Sequence, residues 1–240
     1  MGFELEEVTP TEEYPYSFRE YILQPAVLSS KIFSAIILSP KLKYWFLATL
    51  VSSIFLTIGS WALMSKLVIN VRISGELPQG AQEMMKGLME LFRNPVVILI
   101  NSLAEQLILS LICALAIFIL ARSLSGRGSF SSGIMVAGLR ALPSIAYGIL
   151  SALLGLSMPE VEWNIEIGPQ IVTSGFKMGI PWEILIQEYL LQSIISIWFL
   201  IVLLLGYTRG YGMTGGRAAV ASLCTWVISN IFLIIGLIFI

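Results

Sequence analysis

Three ionisable side chains stand inside long apolar runs: Glu105, Arg140 and Glu188. A charge at the centre of a bilayer costs about 2.5 to 3.5 kcal/mol on insertion scales, so each needs a partner or water. At about 1.5 Å of rise per residue, Glu105 and Arg140 fall near the midplane on adjacent antiparallel spans, within reach of each other. Two readings follow from that placement. The two form a neutralising pair that fixes how their spans pack, or they line a polar pathway for an ion, a proton or a small solute, together with Asn101, Gln106, Gln187 and Gln192. Glu188 lies about one helical turn inside the boundary, from where it can reach headgroup water.

Composition removes most other chemistry. The 240 residues are 57% hydrophobic and 12% charged, with a mean hydropathy of +0.87, whereas a soluble domain is about 25% charged. The chain contains neither His nor Asp, which excludes Ser-His-Asp triads, imidazole metal sites and Walker B magnesium ligands. No cofactor is expected, and the chain reads as a non-enzyme. A net charge of -1, with the cations scattered, offers no footprint for nucleic acid. Cys113 and Cys224 sit in apolar runs and read as buried thiols.

The elements that would position these residues are helical. Residues 1–24 read as a short acidic cytoplasmic tail, and residues 25–240 as one membrane domain. Between Pro25 and Pro40 the apolar residues Leu28, Ile32, Phe33, Ile36 and Ile37 recur at helical spacing, which predicts an amphipathic helix on the membrane surface. Met85, Leu88, Met89 and Phe92, opposite Glu83, Lys86 and Glu90, predict a second one. Apolar runs long enough to cross about 30 Å of hydrocarbon cover 44–66, 96–121, 133–157, 184–207 and 218–240. The expected fold is thus an all-α polytopic bundle of five transmembrane helices with two interfacial helices. Pro143 predicts a kink in the third span, but no broken helix flanking a midplane site is expected.

The short loops after spans two and four carry Arg122, Arg127, Arg209 and Arg217, which places them in the cytoplasm, with the N-terminus inside and Ile240 outside a cell membrane. Span three carries Ala137, Ala141, Ser144, Gly148, Ala152 and Gly155, a row of small residues that lets helices approach closely, within the chain or in a homo-oligomer. The loop Gly126-Arg127-Gly128-Ser129-Phe130 lacks the pattern and context of a phosphate-binding loop and reads as a tight turn.

Several motifs share the type and spacing of one family. Pro25, Phe33, Pro40 and Trp45 lead into span one; Gly126 to Phe130 open span three, with Leu142-Pro143 after them; span four ends in Gly206-Tyr207-Thr208-Arg209-Gly210-Tyr211-Gly212 before Arg217-Ala218. In these the chain resembles the Yip1 domain family of five-span integral membrane proteins. The resemblance implies a protein acting by association, as the eukaryotic members do with Rab-family GTPases in vesicle traffic. The Asp-Leu-Tyr-Gly-Pro motif of those members is absent, and the short tail is more similar to prokaryotic members.

Function is therefore expected in one of two forms. The first is a membrane-organising or adaptor protein acting through contacts with the lipid bilayer and with membrane or cytoplasmic proteins. The alternative is a small transporter or channel subunit with a polar pathway near Glu105 and Arg140. A water-accessible cavity reaching Glu105, or a closed bundle, separates the two.

Overall fold

The structure, a computed structural model, describes residues 15–73, 87, 90–91, 93–124, 126, 128–167 and 182–231. Its helices are α1 (Phe18–Val27), α2 (Ser30–Leu38), α3 (Leu42–Met64), α4 (Pro95–Ser123), α5 (Phe130–Gly138), α6 (Ala141–Ser157), α7 (Trp182–Leu205), closed by a π turn at Gly206–Gly210, and α8 (Gly215–Ser229). Two strands, β1 (Leu67–Ile73) and β2 (Val161–Ile167), complete it.

Among the described residues, four helical stretches are long and apolar enough to cross a membrane: Leu42–Met64, Pro95–Ser123, Phe130–Ser157 and Tyr189–Gly210. Their exposed faces are apolar, with Ile108, Leu115 and Ile119 on α4 and Ile194, Ile197 and Ile201 on α7. A water-facing surface does not carry apolar stripes of that length, so the chain is a multi-pass membrane protein. The expected fifth span, 218–240, is helical within α8 as far as Ser229, and the residues after Ile231 lie outside the described set.

Span three shows how sequence dictates geometry. Pro143 has no N–H for the carbonyl of Leu139, and its ring crowds that carbonyl. The helix divides there into α5 and α6, with Leu139 and Arg140 at the joint. The Leu139 amide donates to the Val136 carbonyl at 3.1 Å, so the Met135 carbonyl loses its usual helical donor, and the Tyr21 hydroxyl supplies one at 2.8 Å. The span is thus broken beside an ionisable residue, where the sequence predicted a kink at most.

α3 and α6 run side by side with their backbones close. A Cβ added to Gly59 would stand 2.6 Å from the Gly148 carbonyl oxygen, and one on Gly155 would stand 2.7 Å from the Leu63 amide nitrogen. The small residues of span three therefore serve packing within the chain at Gly148 and Gly155. Because the two helices run in the same direction, the chain leaves both at one end, and β1 and β2 pair there in parallel from Leu67↔Val161 to Ile73↔Ile167. The chain is helical as expected, and this short pair is an addition to that fold which the sequence reading did not include. Alternation of Ile69, Val71 and Ile73 with polar Asn70 and Arg72, and of Ile165 and Ile167 with Asn164 and Glu166, is the period-2 signal for it.

The N-terminal helices also depart from expectation. Ser17 and Glu20 form a capping box that starts α1, so the boundary expected after residue 24 falls inside a helix. Tyr16 and Tyr21 are buried in the core rather than solvated in a tail. α2 covers only Ser30–Leu38 of the 25–40 segment, the chain breaking at Leu28, and its apolar face, with Phe33 and Ile36 fully buried, packs on the protein core instead of on the bilayer surface. Of the second expected interfacial helix, Gly87, Glu90, Leu91 and Arg93 are helical and exposed, while Met85, Leu88, Met89 and Phe92, the apolar face expected for it, lie outside the described set. Cys113 is buried as expected, whereas Cys224 is exposed on α8, among outward residues such as Leu223.

Candidate functional site

Five helices form a ring in the order α3, α6, α7, α8, α4, each packed against the next and α4 against α3. The ring encloses a cavity of about 210 Å³, lined by Leu56 and Ser60 of α3, by Ser102, Glu105 and Gln106 of α4, and by Arg140, Pro143, Ser144 and Tyr147 of the broken span. Gln192, Ile195, Ser196 and Phe199 of α7 and Asn230, which follows α8, complete the wall. Ten of these fourteen residues carry a polar side chain. In hydrocarbon such groups need partners or water, and a cavity of this size has room for several waters at about 30 Å³ each.

The cavity occupies one half of the bundle. Along α4 its lining ends at Gln106, and the buried Cys113, Ala114, Ile117 and Ala121 follow. Along α7 it ends at Phe199, with Val202, Leu203 and Tyr207 buried beyond. Along span three the order reverses, because the chain runs the other way: Ile134 to Ala137 are core, and Arg140 to Tyr147 are lining. The lined half is the end that carries β1 and β2. The other half is filled by the apolar core, with α1 and α2 packed into it.

Arg140 lies at the floor, where the chain is held by the Pro143 break. Its guanidinium carbon is 5.8 Å from the centre of the Phe199 ring, a cation–π distance. Glu105 is exposed on α4 and acts electrostatically on Arg140. Among the described residues the two form no direct ion pair. Both line the same cavity. Gln106, buried, and Gln192 line the same space. Asn101 is exposed and lies off the lining. Gln187 and Glu188 belong to α7, but their side chains lie outside the described set.

Sequence reasoning missed part of the wall. The Ser196 hydroxyl donates to Asn230 Oδ1 at 2.7 Å, and Trp226 Nε1 donates to the Ser196 carbonyl at 2.8 Å. Asn230 Nδ2 in turn donates to the Trp226 carbonyl at 2.8 Å. This network ties α7 to α8 beside the cavity. An Asn inside an apolar run is the signal that could have found it.

The family-like loop stands elsewhere. Ser129 caps α5 by accepting from the Ser132 amide at 3.1 Å, and the Phe130 ring meets Phe118 edge-on at 6.1 Å. Gly128 has a positive φ and the Tyr211 ring lies where its Cβ would stand, while Gly126 abuts Met213. These residues close the core end of the bundle. Among the described residues no group of three His, Cys, Asp or Glu side chains could hold a metal ion. Compared with protein-family models, curated proteins and solved structures, the chain matches none.

Proposed function

We propose that this protein is a small transporter or channel subunit of the cell membrane that admits a small polar solute to the cavity around Arg140. The observation that carries the reading is the polar cavity itself, which reaches Glu105 and stops at an apolar core. A structural charge pair would close on itself and exclude water. Here a cation is kept at the floor of a polar space, where water or a solute offsets the cost of about 2.5 to 3.5 kcal/mol of placing it in hydrocarbon. A helix broken at the binding level is also the common device of membrane transporters, because it brings polar backbone and side chains to one point.

In this reading the helix begun at Gly215 completes a fifth span over 218–240, the basic loops face the cytoplasm, and the cavity opens to the outside. The Yip1-like reading of a membrane organiser acting through partners is retained as the second. It is favoured by the convergence of the resembling residues at the core end, where Gly206 faces Val136 and Phe33, and Tyr211 covers Gly128.

Cysteine accessibility tests the first reading. In a protein lacking Cys113 and Cys224, Ser144→Cys reconstituted in vesicles should react with a small membrane-impermeant thiol reagent from the outer side. Ala114→Cys, in the core of α4, should not. Silence at Ser144→Cys would favour the organiser reading.

A further inference from the structure

The cavity holds one cation and one carboxylate that do not neutralise each other by contact, and that arrangement points to the charge of its ligand. Resting on the reading of the cavity as a solute site, we infer that it takes a small zwitterion, an anionic oxygen group and an amine a few bonds apart, with Arg140 engaging the anion and Glu105 the amine. A guanidinium carries five N–H donors and no acceptor, and the contact of Arg140 with the Phe199 ring provides no oxygen for them. Among the described residues no carboxylate bonds to Arg140, and Glu105 is the only carboxylate in the lining.

Charge balance decides between ligand classes. A lone anion at Arg140 would leave Glu105 uncompensated, and a lone cation at Glu105 would do the same to Arg140. A zwitterion meets both and leaves the net charge of a low-dielectric space unchanged, which avoids the desolvation cost of an unmatched ion. The rest of the polar wall, Ser102, Gln106, Ser144 and Gln192 among it, is neutral and suited to hydrogen bonds with such a molecule. The volume of about 210 Å³ falls below the roughly 300 to 1,000 Å³ of sites for drug-sized ligands. A molecule well below drug size fits. This chemistry is shared by free amino-acid-like solutes and by the phosphoethanolamine headgroup of a lipid. Glu105 is exposed beside the outward apolar Ile108, where either source can reach it.

Protection of Ser144→Cys from the thiol reagent tests the inference in phosphatidylglycerol vesicles, with glycine and phosphoethanolamine as zwitterions and acetate and methylammonium as single charges. At ten times its dissociation constant a zwitterion should slow labelling about tenfold, and neither single charge should match it at equal concentration. Arg140→Gln and Glu105→Gln should each label normally and lose the protection. Slow labelling in phosphatidylethanolamine vesicles, with no effect of the soluble zwitterions, assigns the headgroup as the source; protection by the soluble zwitterions assigns a free solute. If a variant fails to fold, the ranking of the four probes on the otherwise unchanged protein decides alone. Equal protection by acetate or methylammonium, or labelling that no probe or lipid slows, overturns the zwitterion and leaves the solute cavity standing. Failure of Ser144→Cys to label at all removes the cavity reading and this inference with it.

Discussion

Glu105 and Arg140 could be singled out from sequence because a charge in an apolar run must be answered by something, and so could Gln106 and Gln192. Asn230, an amide inside an apolar run, carried the same kind of signal and was passed over; the serines carried none. A hydroxyl in a membrane helix commonly returns its bond to the carbonyl a turn earlier, as Thr49 does to Trp45, Ser53 to Thr49 and Thr57 to Ser53, so its presence says little about which way it faces. Two couplings separate the kinds of contact. In a double-mutant cycle, Glu105→Gln with Arg140→Gln should show a stability coupling no larger than the roughly 0.6 kcal/mol average for polar pairs in membrane bundles, since the two share a cavity without touching. Ser196→Ala with Asn230→Leu should reach the upper part of that range, up to about 1.7 kcal/mol, because a direct 2.7 Å bond is lost. Denaturation in mixed micelles reads both, and a reversal of their order would show that Glu105 and Arg140 are the structural pair after all.

At the level of elements, the long apolar runs located four of the spans to within a few residues, as helix length in a bilayer is set by hydrocarbon thickness. The strands escaped because each is short, and their pairing depends on two helices distant in sequence emerging side by side. The surface position expected for α2 was misread for a related reason: Phe33 and Ile36 form an apolar face whether lipid or protein covers it, and periodicity cannot tell which. Pro143 was legible as a kink, but its consequence, Arg140 held at a joint, required the packing of Tyr21 on the freed Met135 carbonyl. Pro143→Ala should restore the missing N–H, leave the protein at least as stable in thermal unfolding, and reduce labelling of Ser144→Cys as the span straightens and the cavity changes shape. Gly155→Val should cost about 1 to 3 kcal/mol by overpacking against α3, while Ala152→Val, at a half-buried site, should cost less. Equal costs would mean that the close approach of α3 and α6 does not govern their packing.

Across the whole molecule, the cavity at one end and the dry core at the other give the bundle a polarity that its composition does not reveal. The orientation proposed above, with the arginine-bearing short loops in the cytoplasm, is open to a direct check. Gly216→Cys, at a position with nothing near its Cβ, should label only from the cytoplasmic side, and Glu160→Cys, exposed, only from outside. The opposite pattern would turn the protein over and with it the side to which the cavity opens. The most direct test of a one-sided cavity is an accessibility profile along α7, with cysteine placed singly at Gln192, Ser196, Phe199 and Leu203 in a protein without its native thiols. An impermeant reagent applied outside should label positions 192 and 196 readily, position 199 slowly and position 203 not at all, because the lining ends at Phe199 and Leu203 is fully buried in the core. Labelling of position 203 as fast as position 192, or no labelling at any of the four, would contradict it.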